Sequence, residues 1–236
     1  MMRVGVLASG RGSNLAALLD DAAQPDAPYE IVAAIGNRPA APALERARAA
    51  DVWTATVERG SHASRAEQQR EMLSLLHARG VELVVTAGFD QILGPDLLAA
   101  YPQRILNVHP SLLPAFAGTL HAQAEALAHG VKISGCTVHL VTAEVDGGPI
   151  VAQATVPVHD ADTVELLSAR ILEQEHRLLP RAVRLMAEGR VRVEGRRAIV
   201  STTPASPQPG RRERACRAPA GRSARSTRPR SPPRRH

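Results

Sequence analysis

Through residues 3–108, short apolar runs alternate with segments of helical period, and glycine, proline or polar turns cut each run off. The runs lie at 3–8, 31–35, 52–57, 82–87 and 104–108, with helical patterns at 15–19, 42–50, 64–78 and from Pro95 onward between them. Parallel strands need a crossover connection, and a helix is the usual one, so this order predicts a doubly wound, mostly parallel α/β sheet. After a short helix at 120–129 the pattern changes. Residues 133–141 and 149–156 read as strands joined by the short loop 142–148, which predicts an antiparallel pair added to the same sheet, and 190–193 with 197–200 reads as a small terminal hairpin. Between them, the helix from residue 164 has Asp162 as its expected cap and an apolar stripe at Val164, Leu167, Ile171, Leu178, Ala182 and Leu185, with Pro180 expected to kink it.

Ligands of such sheets bind beyond the C-terminal strand ends, which selects the loops at 9–14, 89–93 and 107–114. In the last of these, Asn107 and His109 are two residues apart on an extended chain, so both side chains leave one face. An amide and a protonated imidazole aimed at one oxygen suit carbonyl chemistry, each donor lowering the barrier by about 3 kcal/mol. A polar strand end capped by prolines is the alternative. The first loop, Ser9-Gly10-Arg11-Gly12-Ser13-Asn14, follows a strand and opens a helix without being a Walker A or a dinucleotide fingerprint. It reads either as a cradle for one phosphate, through Gly12, Ser13 and Asn14, or as a tight turn with a polar helix cap. Asp146 stands beside Gly147 and Gly148, as a functional carboxylate or as a residue chosen for the turn. Glu175 interrupts the apolar stripe of the last helix; an inward carboxylate requires a ligand group or an internal partner.

Charge is unevenly placed. The chain of 236 residues carries +6, but 201–236 holds ten arginines against one glutamate, so residues 1–200 carry +6 less +9, or −3. With no Leu, Ile, Val, Phe, Tyr or Trp, residues 201–236 cannot offset the entropy of ordering, and disorder is expected there. An incidental solvated extension is favoured over nucleic-acid contact through phosphates. No apolar run long enough for a membrane span and no cleavable signal is present, and neither Cys136 nor Cys216 suggests a disulfide framework or a metal site. The expected compartment is a bacterial-type cytoplasm.

Ser9-Gly10-x-Gly12-Ser13-Asn14, Ala87-Gly88-Phe89, Asn107-x-His109-Pro110-Ser111-Leu112-Leu113-Pro114 and Asp146-Gly147-Gly148-Pro149 together resemble the phosphoribosylglycinamide formyltransferases, over residues 2 to about 195. The resemblance implies a Rossmann-like formyltransferase fold and transfer of a formyl group from 10-formyltetrahydrofolate, a co-substrate, to the amine of phosphoribosylglycinamide, with small-molecule partners, no metal and no bound cofactor. It implies that Asn107 and His109 stabilise the oxyanion, that Asp146 holds His109 protonated and helps move the proton, and that Gly12, Ser13, Asn14 and Glu175 bind the acceptor. Arg65, Asp90, Gln91, Ile92, Leu93, Asn107, Val141 and Glu144 match folate-side positions; His139 falls where the family has a histidine near the site, although a structural role is favoured, and the Leu113-Pro114 bond matches one that is cis in relatives. Departures are Leu172 for a family glutamine, Ala117-Gly118 for Pro-Gly, and Asp90-Gln91 for the Met-Arg of some relatives. Methionyl-tRNA and sugar-nucleotide formyltransferases carry a further C-terminal domain that residues 201–236 cannot form. Formyltetrahydrofolate hydrolases carry an N-terminal one, whereas the glycine loop here starts at residue 9. A non-enzymatic nucleotide-binding module is the rival of another class.

Overall fold

A computed structural model describes residues 1–202. The expectation of disorder for 201–236 therefore lies, from residue 203 on, outside the described residues. The described part is built on a sheet of nine strands in the order β3-β2-β1-β4-β5-β6-β7-β9-β8. In chain order the elements are β1 (Met2–Ala8), α1 (Ser13–Ala22), β2 (Tyr29–Gly36), α2 (Pro42–Ala49), β3 (Thr54–Thr56), α3 (Arg65–Ala78), β4 (Leu83–Thr86), α4 (Pro95–Ala100) and β5 (Ile105–His109). Then come α5 (Ala122–Ala128), β6 (Ile133–Leu140), β7 (Ile150–Pro157), α6 (Val164–Ala187), β8 (Val191–Glu194) and β9 (Arg197–Val200). Strands β1 to β5 pair in parallel, and β6 and β7 are antiparallel additions, as the alternation and the short 142–148 loop predict. The terminal hairpin β8–β9 joins the same sheet by a parallel pairing of Ile150 with Arg197.

Alternation along the strands builds two cores. Val4, Val6, Leu83, Val85, Leu106, Val108 and Val138 pack on one face with Leu15, Leu18, Leu44, Leu167 and Ile171 from α1, α2 and α6. Leu7, Ile35, Val84 and Ile105 pack on the other with Met72, Leu76 and Leu97 from α3 and α4. Burying such side chains contributes about 1.5–3 kcal/mol each. On this second face the apolar cluster ends at β5, and the same parity that points Ile105 into it points Asn107 and His109 beyond it.

Two local expectations are corrected. The cap of α6 is Thr163, whose hydroxyl accepts from the Leu166 N–H; Asp162 instead accepts from the His159 N–H and holds Arg170 at 2.7 Å. Val164 is 40% exposed and outside the buried stripe. Pro180, where a kink is expected, lies inside α6, and the helix continues past it to Ala187. Pro180 lacks the N–H that the His176 carbonyl would receive, and it is buried on the same helix as the core residues Leu178, Leu179 and Ala182.

Candidate active site

Strand order reverses between β1 and β4: the chain winds outward from β1 to β3, then crosses to β4 and β5. Loops leaving β1 and β4 splay apart there and leave a crevice. The first turns at Gly12, with φ 74° and an added Cβ 2.5 Å from the Ala43 Cα, so only glycine fits. Helix α1 starts at Ser13 with no side chain capping it, which leaves its first N–H groups and their partial positive charge for an anion. Asn14 is turned inward, donating from Nδ2 to the Glu175 carboxylate at 2.8 Å, while its buried Oδ1 has no partner. Of the two alternatives for Glu175, the internal partner is present as Asn14. Burial raises its pKa and the Asn14 bond opposes the rise only in part.

Asp90 sews the crevice together. Its Oδ1 accepts from Ser9 Oγ at 2.8 Å, Asn37 Nδ2 at 2.8 Å and Arg59 Nη2 at 2.7 Å, Arg38 pairs with Oδ2, and its N–H donates to Ser9 Oγ at 3.0 Å. Burial alone would raise the Asp90 pKa, but the bonds from Asn37, Ser9 and Arg38 and the charge of Arg59 bring it down to about 2. Among its neighbours, Gln91 donates to Gln68, Ile92 is 57% exposed and Leu93 is buried.

The candidate reactive groups stand in rows across the second face of the sheet. Thr86, Asn107 and His139 are opposite one another on β4, β5 and β6, and His109, Thr137 and Gln153 form the next row, two residues further along β5. Thr86 Oγ1 lies 2.6 Å from Asn107 Oδ1, and Asn107 Nδ2 lies 3.1 Å from His139 Nε2. In the second row Thr137 donates to the Ser111 carbonyl at 2.7 Å and accepts from the Leu113 N–H and from Gln153, which pins the turn carrying the cis Leu113-Pro114 bond.

Asp146 reaches these rows from the β6–β7 loop. Its backbone is left-handed, at φ 52°, and at Gly148 a Cβ would meet the Leu140 carbonyl oxygen at 1.7 Å. The residues suit the turn, and the turn brings the Asp146 carboxylate to the two rows. Asp146 Oδ2 accepts from the Gly118 N–H at 2.8 Å and lies 3.4 Å from His109 Nδ1, and Oδ1 lies 3.5 Å from His139 Nε2. Burial would raise its pKa, but the His139 contact, the Gly118 bond and the charges of both imidazoles lower it overall, so the carboxylate stays ionised. His109 Nε2 meets the Phe116 carbonyl at 2.9 Å. Both ring nitrogens thus face acceptors, which a doubly protonated imidazole satisfies.

Asn107, His109 and Asp146 are brought together, as are Gly12, Ser13, Asn14 and Glu175. Of the folate-side positions, Arg65 is exposed at the first turn of α3, Val141 donates its N–H to the Ile105 carbonyl, and Glu144 is exposed and paired with Arg196. Sequence reasoning did not single out Thr86, Arg38 or Arg59 and gave Ser9 no part beyond the loop; it favoured a structural role for His139, which touches both Asn107 and Asp146. A polar threonine closing an apolar strand was the available sign of Thr86.

A carboxylate-supported imidazole and an amide at the C-terminal edge of a doubly wound sheet, with an uncapped helix N-terminus in the neighbouring crevice, define an α/β enzyme of acyl-group transfer. The chain belongs to the formyl transferase family, whose model matches residues 2–183, and within it to the phosphoribosylglycinamide formyltransferases. It is 48% identical over 198 residues to phosphoribosylglycinamide formyltransferase of Mycobacterium tuberculosis, covering 84% of this chain and 91% of that one. The crystal structure of glycinamide ribonucleotide transformylase 1 from Symbiobacterium toebii superposes with a TM-score of 0.83 at 50% identity, covering 85% of this chain and 94% of that one. A trifunctional purine biosynthetic protein of Gallus gallus is 41% identical over 192 residues, or 81% of this chain, which spans 19% of its length.

Proposed function

We propose that the chain transfers the formyl group of 10-formyltetrahydrofolate to the amine of 5-phosphoribosylglycinamide, in the cytoplasm. The observation that carries this reading is the Asp146 carboxylate standing between His109 and His139, with Asn107 beside them. The substrate amine attacks the formyl carbon, and the carbonyl electrons move onto oxygen. Asn107 Nδ2–H stabilises that oxyanion as a donor, by about 3 kcal/mol, and the His109 imidazolium does so by its positive charge, its two N–H groups facing Asp146 and the Phe116 carbonyl. The bond from the formyl carbon to the folate N10 then breaks, and the proton lost by the attacking amine passes to N10 with help from Asp146. The N-terminus of α1, with Gly12, Ser13 and Asn14, holds the phosphate, and Glu175 accepts from the ribose hydroxyls. Folate lies along 89–93 and 141–146. Asp90 serves there by its backbone, since its carboxylate is already filled by protein donors. 10-Formyltetrahydrofolate is a co-substrate, and the family chemistry uses no bound cofactor.

A spectroscopic assay of tetrahydrofolate release tests the reading. Phosphoribosylglycinamide should drive release and methionyl-tRNA should not; release without any acceptor, or with the tRNA alone, overturns it.

A further inference from the structure

Thr86 ends β4 on the face that carries the reactive row, and it is 4% exposed. Its hydroxyl touches nothing that reacts. It lies 2.6 Å from Asn107 Oδ1 and 3.2 Å from the Leu106 carbonyl oxygen, and the parallel register sets it directly opposite Asn107. We propose that Thr86 is the positioning residue that fixes the orientation of the Asn107 amide for oxyanion stabilisation. The proposal rests on the formyl-transfer reading above and deepens it.

An asparagine amide presents lone pairs at one end and two protons at the other, and only the proton end stabilises a developing oxyanion. Half a turn about the last side-chain torsion exchanges the two ends at little steric cost, so neighbours must choose between them. On one flank stands His139, whose Nε2 is 3.1 Å from Asn107 Nδ2 and whose Nδ1 is 3.1 Å from the Leu140 carbonyl. With the His139 proton on Nδ1, directed at Leu140, Nε2 accepts from Asn107, and Thr86 completes the row by donating to Oδ1. With a proton on Nε2 toward Asp146, 3.5 Å away, the amide is turned over and Thr86 accepts from Nδ2 while donating to Leu106. A hydroxyl both donates and accepts, but this one lies 2.6 Å from Asn107 Oδ1, so by donating there it favours the first arrangement over the second. Valine has the same shape and does neither, so in Thr86→Val the amide has no fixed partner on this flank and buries a polar end against a methyl group.

Outright loss of an oxyanion donor costs about 100- to 1,000-fold in kcat, and a misoriented fraction costs less. Thr86→Val should therefore lower kcat about tenfold with both KM values within about twofold, and Thr86→Ser should restore it. In an Asn107→Ala background Thr86→Val should cost nothing further, since a residue acting through another has no effect once that one is gone. The side-chain NH2 resonances of Asn107, assigned by their loss in Asn107→Ala, give a readout independent of turnover: they should shift in Thr86→Val and return in Thr86→Ser. The proposal is overturned if Thr86→Val keeps full kcat, if Thr86→Ser is equally impaired, if the loss persists beside Asn107→Ala, or if the resonances do not move. An unmutated protein that transfers no formyl group while its Asn107 resonances respond as described would overturn the reaction and leave the positioning contact standing.

Discussion

Asp146 is a half-buried carboxylate held ionised by its neighbours. Burial pushes its pKa up, yet contacts from His139, Gly118 and His109 bring it below the ordinary carboxylate value. Asp146→Asn keeps the shape and removes the charge that the two imidazoles face. We expect kcat to fall about 100-fold or more while the KM for phosphoribosylglycinamide changes little, and steady-state kinetics in both substrates check this. Equal losses in both parameters would refute the assignment. Glu175 is the opposite case. Burial raises its pKa, so the folded protein holds the proton more tightly than the unfolded chain, and stability present below the unfolded value near 4.5 is lost as pH rises through the raised folded value. Glu175→Gln should therefore melt higher than the parent at pH 7, with the advantage vanishing as pH falls toward 4.5. Thermal melts at both pH values test it, and a mutant that melts lower at pH 7 would contradict it. The spacing of α6 could announce an inward carboxylate. It could not reveal that Asn14, 161 positions away, supplies the donor.

At the scale of elements, the strand–loop–helix order was legible because it follows from periods of two and 3.6, and the end of each element was not. The α6 cap shifted from Asp162 to Thr163 because Arg170 and the His159 N–H already claim Asp162. Strand β3 shrank from the expected 52–57 to Thr54–Thr56, the part that finds partners at Ala34, Ile35 and Gly36. The uncapped N-terminus of α1 is the element that should read the acceptor's phosphate. Ser13→Asp would set a negative side chain at that positive end. It should raise the KM for phosphoribosylglycinamide at least tenfold and leave folate binding unchanged, measured by kinetics and by direct folate titration. Weakened folate binding would show that this helix end serves another ligand.

Over the described residues, the sheet carries the candidate site, and the matched family region ends at residue 183. Ser201 still belongs to the folded part, its N–H donating to the Arg190 carbonyl at 2.9 Å. A chain ending at Thr202 should accordingly transfer formyl groups at the parental rate, and loss of activity on truncation would assign the basic segment to the enzyme's own chemistry. Local sequence determined the alternation that makes the sheet, the glycine at a left-handed helix start, and the parity that puts Asn107 and His109 on one face. These depend on neighbours a few positions away, where steric and hydrogen-bonding rules are strong. Only the tertiary structure decided that Thr86, Asn107 and His139 form one row and that Asp146 reaches across to it. It also decided that Asp90 spends its carboxylate on four protein partners. Those meetings depend on strand order and register, which are set by how the whole apolar surface is buried at once and leave no local trace in the residues that meet.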